Sequence, residues 1–115
     1  MKLIIAGSRD VHDYGLLLEA IEHFDCADSI TEIVSGHAPG VDMLGERYAQ
    51  ENDLKLTVFP AEWDKYKKAA GPIRNEQMAK YADALIAIRK DQSKGTTDMI
   101  KRAKVHDLQI YVKDI

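Results

Sequence analysis

The chain lacks the features that mark several classes of protein. Its 115 residues include a single cysteine, Cys26, so no intramolecular disulfide can form and no Cys/His spacing predicts a zinc site. It also lacks a basic surplus, because 16 basic residues face 19 acidic ones and the formal net charge is −3. Proteins that bind duplex DNA usually carry such a surplus. Nucleic acid is therefore not an expected partner.

Long hydrophobic runs are missing as well. The apolar stretch over residues 1–6 is too short for a secretory signal or a membrane span. With the lone cysteine, this predicts a protein of the cytoplasm with no membrane partner. The content of 45% hydrophobic and 30% charged residues is ordinary for a globular protein. The length predicts one domain over residues 1–115.

Short apolar runs alternate with segments of helical periodicity along the whole chain. We predict strands at 2–7, 31–36, 55–60, 83–88 and 109–113, and helices at 14–24, 41–52, 72–81 and 96–106. The stretch that contains Trp63 and Tyr66 is predicted to be a polar loop. This alternation predicts a Rossmann-like three-layer α/β/α fold with a five-stranded parallel sheet in the order 3-2-1-4-5.

Three glycine-containing loops follow predicted strands, at residues 7–10, 35–40 and 89–97. In such sheets ligands bind beyond the carboxyl ends of the strands, where the strand order reverses. Glycines let a backbone approach a ligand, and amides at a helix start suit a phosphate. Residues of these loops predicted to contact a ligand are Gly7, Ser8, Arg9, Ser35, Gly36, His37, Gly40, Asp42, Lys94, Gly95, Thr96 and Thr97.

Each loop also has a plainer interpretation. Arg9 and His37 could be solvated, Asp42 could only complement a helix dipole, and Thr96 could be a helix cap. The second loop is neither a Walker loop nor a GxGxxG motif. Trp63 could stack on a base or sugar, or could instead cover the sheet edge or a subunit contact.

The stretch "AAGPIRNEQM" places a cation near the positive end of a predicted helix that begins at Pro72. An acidic residue is usual there, and a cation costs roughly 0.3–1 kcal/mol. We hypothesise that Arg74 faces an anion, a ligand phosphate or carboxylate, which offsets that cost. A structural salt bridge is the competing interpretation.

The segments "IIAGSRD", "IVSGHAPGVD", "FPAEWDKY", "AAGPIRNEQM", "YADALIAI" and "SKGTTDMI" together resemble the small SLOG proteins of the YspA-like branch. That superfamily includes the Lonely Guy (LOG) enzymes and DprA. The resemblance runs from Leu3 to Val112 and implies a Rossmann-like domain that binds a nucleotide-derived small molecule, often as a homodimer or tetramer. It adds Gly71 and Asn75 to the residues expected to bind the ligand, and supports Trp63 and Arg74.

The departures from the LOG pattern are informative. The glutamate that assists glycosidic cleavage in LOG enzymes corresponds to Met99, which cannot move a proton. Ser93 and Lys94 replace a Gly-Gly pair, and Pro39 replaces a common arginine. The resemblance therefore favours a sensor or sequestering protein over an enzyme, with no cofactor and no metal.

Two other functions stay open at this point. One is a nucleoside-monophosphate N-glycosidase or related nucleotide hydrolase, with Arg74 on the phosphate and a carboxylate from Asp10, Asp42 or Asp98. Arg74 and Asp98 are then the catalytic candidates. The other is a single-strand DNA binder by analogy with DprA, which the net charge disfavours.

Overall fold

A five-stranded parallel sheet forms the centre of the computed structural model, which describes residues 1–115. The strand order is β3-β2-β1-β4-β5, so the predicted order 3-2-1-4-5 is confirmed. The strands are β1 (Lys2–Gly7), β2 (Glu32–Ser35), β3 (Lys55–Val58), β4 (Ala84–Arg89) and β5 (Gln109–Asp114).

Helices cover both faces of the sheet. They are α1 (Tyr14–Phe24), α2 (Val41–Glu51), α3 (Trp63–Tyr66), α4 (Ala70–Tyr81) and α5 (Lys94–Val105), with 3-10 turns at Ala27–Ser29 and Lys67–Ala69. Successive residues of a strand point to opposite faces. Leu3 and Ile5 of β1 accordingly pack under α1 and α2, whereas Ile4 and Ala6 pack under α4 and α5. The two cores confirm the three-layer α/β/α architecture.

The structure corrects the helix starts near the site. The predicted polar loop around Trp63 is the short helix α3, and a 3-10 turn leads from it directly into α4. Helix α4 begins at Ala70 rather than Pro72, because the 3-10 turn at Lys67–Ala69 leads directly into it and Ala70 is a good helix former. Pro72 therefore lies within the first turn, where its missing N–H costs nothing, and Arg74 lies in the second turn. Helix α5 begins at Lys94 rather than at Thr96.

Strands β1 and β4 end side by side, and this sets the position of the site. Gly7 pairs with Ile88, and the Ser8 amide donates to the Ile88 carbonyl at 3.1 Å. The loops that follow the two strands therefore leave the same edge of the sheet, where the strand order reverses. None of the helices has the length and hydrophobicity needed to cross a membrane.

Candidate functional site

A cleft of about 330 Å³ opens at the carboxyl edge of the sheet. It lies between the loops after β1 and β4 and the start of α4, at the predicted position. Its volume is at the lower end of the range for small-molecule sites. The cleft is lined by Gly7, Arg9, Ala38, Asp42, Trp63, Gly71, Pro72, Arg74, Asn75, Ser93, Lys94, Gly95, Thr96 and Asp98.

Most of the predicted ligand-binding residues meet in this cleft. All three predicted loops, the Trp63 segment and the start of α4 contribute to its lining. Asp98, a catalytic candidate if the protein is a hydrolase, also lines the cleft. Sequence reasoning missed Ala38, Pro72 and Ser93 as lining residues. All three lie one or two residues from a predicted glycine, which was the available signal, but their small, uncharged side chains gave no strong chemical reason to select them.

A second cavity of about 260 Å³, called here the side cavity, adjoins the cleft. The two share Arg9, Ala38, Trp63 and Arg74, so these residues form a common wall. The predicted residues Gly36 and His37 line the side cavity instead of the cleft. Its lining is Arg9, Gly36, His37, Ala38, Pro39, Pro60, Ala61, Trp63 and Arg74.

Two predicted serines lie behind the site and hold its loops. The Ser8 hydroxyl accepts from the Lys90 amide at 2.8 Å and ties the loop after β1 to the loop after β4. The Ser35 hydroxyl donates to Glu46 Oε2 at 2.7 Å and accepts from the His37 amide at 3.0 Å. Both serines are buried and line neither cavity. Their hydroxyls shape the loops.

Gly40 and Thr97 also lie outside both cavities. Gly40 has a φ of +84°, and a Cβ there would lie 2.2 Å from the Ser8 carbonyl oxygen. Glycine is required at position 40 because the loop after β2 packs closely on the loop after β1. The Thr97 hydroxyl donates to the Ser93 carbonyl at 2.7 Å and accepts from Arg89 at 3.1 Å, so it stabilises the start of α5.

Arg74 reaches from α4 across to the loop after β2. Its Nη1 donates to the Gly36 carbonyl at 2.6 Å, and its Nε donates to Asn75 Oδ1 at 3.0 Å. A Cβ on Gly36 would lie 2.4 Å from Arg74 Nη1, so the missing side chain makes room for the guanidinium. No carboxylate lies within 4.0 Å of Arg74, so the structural salt bridge considered from the sequence is not formed.

Asn75 orients the Arg74 side chain through a hydrogen bond. While its Oδ1 accepts from Arg74, its Nδ2 donates to Asp98 Oδ2 at 2.9 Å. The same Asp98 oxygen accepts from Arg102 Nε at 2.9 Å. Asn75 is buried, so its amide orientation is determined by these partners. The predicted Asn75 and Asp98 thus form a chain of hydrogen bonds that orients Arg74.

Asp42 is the buried carboxylate of the cleft, with 4% of its surface exposed. Burial raises its pKa to about 6, although the Ala38 amide at 3.3 Å and the nearby Arg74 charge act in the opposite direction. Burial likewise lowers the pKa of Arg74, which the charge of Asp42 partly offsets. Two opposite charges are therefore held in a partly desolvated site without direct pairing.

The first turn of α5 offers backbone donors to the cleft. Ser93 gives no side-chain cap, and the amides of Lys94, Gly95 and Thr96 have no acceptor in the protein. Such amides at a helix start attract anions. The side chains of Arg9 and Lys94, which also line the cleft, have no carboxylate within 4.0 Å. The cleft is thus suited to an anionic group. No three His, Cys, Asp or Glu side chains meet in an arrangement that could hold a metal ion.

The fold and the cleft define a Rossmann-like α/β protein with its candidate site at the carboxyl edge of the sheet. Residues 1–66 match the YAcAr family, described as the YspA, cpYpsA-related SLOG family, and the chain belongs to that family. The matched residues include the first two loops and Trp63. The segments around Arg74 and Gly95 lie beyond them. Comparison with curated proteins and with solved structures finds no match.

Proposed function

We propose that this protein binds a nucleotide or nucleotide-derived small molecule in the cleft through the anionic group of that molecule. The proposal rests on two anion-binding elements that line the same cleft. One is the Arg74 guanidinium at the start of α4, and the other is the set of unpartnered amides of Lys94, Gly95 and Thr96 at the start of the neighbouring helix α5. A phosphate between them would receive charge-assisted hydrogen bonds from both.

The arrangement of Arg74 supports a ligand contact over a purely structural role. Two of its five N–H donors bond to Gly36 and Asn75, and no other protein acceptor takes the remaining three. A guanidinium presents donors in a fixed fork that suits phosphate or carboxylate. Since Asn75 and the Gly36 carbonyl already fix its direction, little conformational entropy is lost when an anion binds.

Capture without turnover is the form of this function that we propose. Met99, at the position of the LOG glutamate, is 1% exposed and packs in the core under α4 and α5. The Met99 side chain therefore faces the protein interior and does not line the cleft. Asp10 pairs with Lys90 at 3.3 Å, and Asp98 already accepts from Asn75 and Arg102. These two carboxylates are occupied by structural partners.

One observation favours hydrolysis as a second candidate function. Asp42 is a buried carboxyl in the cleft whose pKa is raised to about 6. A carboxyl with such a pKa can hold a proton near neutral pH and donate it to a leaving group. In an N-glycosidase of nucleoside monophosphates, water would attack C1′ as the C1′–N bond to the base breaks. Asp42 would give its proton to the departing base, and Arg74 would bind the phosphate.

Native mass spectrometry of the purified protein tests capture against turnover. We expect a mass that exceeds the protein by one small molecule per subunit, and denaturing release should identify a phosphate-bearing nucleotide derivative. Incubation with AMP should return AMP unchanged. Release of adenine and ribose 5-phosphate would favour the hydrolase, and the Asp42→Asn variant should then abolish it. The same spectrum tests the predicted homodimer or tetramer.

A further inference from the structure

The cleft and the side cavity differ in chemistry although they share a wall. The cleft has Lys94, the free amides of α5 and two carboxyl groups in its lining. The residues that belong to the side cavity alone include Pro39, Pro60 and Ala61, and none is acidic or a lysine. The two arginines of the side cavity belong to the shared wall. One ligand that filled both spaces would therefore have a charged end in the cleft and an uncharged end in the side cavity.

Trp63 stands at the junction of the two spaces. Its side chain lines both of them and remains 48% exposed, although it is the largest apolar side chain in the protein. A Cβ on Gly71 would lie 3.5 Å from Trp63 Cη2, so the indole rests against the start of α4. An indole that is supported on one side and open on the other is a stacking surface for an aromatic ring.

His37 supplies a polar group to the same side cavity. Its Nδ1 lies 2.8 Å from Glu46 Oε2, an oxygen that also accepts from the Ser35 hydroxyl at 2.7 Å. A carboxylate at Nδ1 requires a proton on that nitrogen, so Nε2 of the neutral ring is an acceptor. His37 has a φ of 61°, and the Ser35 hydroxyl accepts from its amide, so the loop fixes the backbone, while the contact with Glu46 orients the ring. Nε2 can accept from an exocyclic amino group of a base.

We infer that the side cavity is a nucleobase subsite, in which the base stacks on Trp63 and donates to His37 while the phosphate lies in the cleft. This inference rests on the proposed function and deepens it, because it orients the ligand across the shared wall. Arg74 then lies between base and phosphate. Recognition of the base and recognition of the phosphate become separable, and each depends on different residues.

Titrations with AMP and with ribose 5-phosphate, which lacks the base, test this separation. Trp63 is the single tryptophan, so its fluorescence reports stacking directly. We expect AMP to quench the emission of the wild-type protein and ribose 5-phosphate to leave it unchanged. Trp63→Ala should weaken AMP binding roughly 10-fold or more and spare ribose 5-phosphate, since stacking acts on the base alone. Trp63→Phe should retain most of the AMP affinity.

Tyr66→Ala is the matched control, because Tyr66 lies on the same short helix and lines neither cavity. It should leave both affinities unchanged. Equal weakening of AMP and ribose 5-phosphate by Trp63→Ala, or no weakening of either, would overturn the base subsite and leave the proposed function intact. If the wild-type protein bound neither compound, both the proposed function and this inference would be overturned.

Discussion

The two edges of the sheet each contain a buried acidic residue, and the surroundings of the two differ. At the amino edge, Glu32 of β2 is 5% exposed and accepts from the Thr57 hydroxyl at 2.6 Å and from the Tyr81 hydroxyl. Lys55 lies 3.5 Å away. At the carboxyl edge, Asp42 is equally buried, but the hydrogen bonds of Arg74 go to Gly36 and Asn75.

The pKa values show what this difference means. Burial alone would raise the pKa of Glu32, but hydrogen bonds from Thr57 and Tyr81 and the charge of Lys55 bring it below its ordinary value. Burial raises the pKa of Asp42 to about 6, because its partners compensate only in part. At the amino edge, side chains of the protein therefore satisfy the buried carboxylate. The carboxyl edge keeps charges and donors available, as binding sites do at some cost in stability.

Replacement of Asp42 gives the largest expected effect. The pKa of Asp42 is about 6 in the folded state and 3.8 in the unfolded state. The contribution of the protonated Asp42 carboxyl to the free energy of unfolding is therefore fully present below pH 3.8 and is lost as the pH rises through 6. Asp42→Asn should therefore be more stable than the wild-type protein at pH 7, by up to about 3 kcal/mol. Urea unfolding from pH 3.5 to pH 8 measures this. A stability difference that did not grow between pH 4 and pH 6 would contradict the account.

Replacement of Glu32 should have the opposite sign. Glu32→Ala removes the acceptor of two hydroxyls and should lower the free energy of unfolding at pH 7 by about 2 kcal/mol. Because the folded-state pKa is lowered, the contribution of Glu32 is present above pH 4.5 and fades as the pH falls through that lowered pKa. AMP affinity should not change, since Glu32 lies at the far edge. Glu19→Ala, on the exposed face of α1, is the control. If Glu19→Ala lowered the free energy of unfolding as much as Glu32→Ala, the stabilising role of the buried carboxylate would be contradicted.

A side chain at position 36 tests whether the space for the Arg74 guanidinium at the carboxyl edge matters for binding. In Gly36→Ala the new Cβ would lie 2.4 Å from Arg74 Nη1 and 2.8 Å from Asp42 Oδ2, so the flexible guanidinium must move. We expect roughly a 10-fold loss of AMP affinity, measured by isothermal titration calorimetry, because a displaced bidentate donor is lost to the anion. Unchanged affinity would show that the position of Arg74 does not matter.

The smallest effect is expected at Gly95. A Cβ there meets no atom within 4 Å, so Gly95→Ala should raise the free energy of unfolding slightly, by about 0.5 kcal/mol, through the unfolded chain. Gly40→Ala is the contrast, because its φ of +84° and the Ser8 carbonyl at 2.2 Å make an alanine costly. Thermal unfolding of both variants checks this, and a loss at Gly95 as large as at Gly40 would contradict the description of an open cleft wall.

The strands and their order could be predicted from sequence, since buried parallel strands are continuous apolar runs such as "KLIIAG" and "ALIAIR". Helix α3 could not, because four residues show no periodicity and this turn leads into the 3-10 turn before α4. Nor could the sequence separate Ser8, whose hydroxyl ties two loops, from a serine that faces a ligand. Both are hydroxyls after a strand, and only the position of the neighbouring loop decides between them.

Anion binding through Arg74 at the carboxyl edge is tested by the AMP affinity of the Arg74→Met variant. Arg47→Met is the control, because Arg47 pairs with Glu51 on the exposed surface of α2 and lines neither cavity. We predict that Arg74→Met loses AMP affinity at least roughly 10-fold with its fold intact by circular dichroism, and that Arg47→Met binds as the wild-type protein does. Wild-type affinity in Arg74→Met would contradict the account.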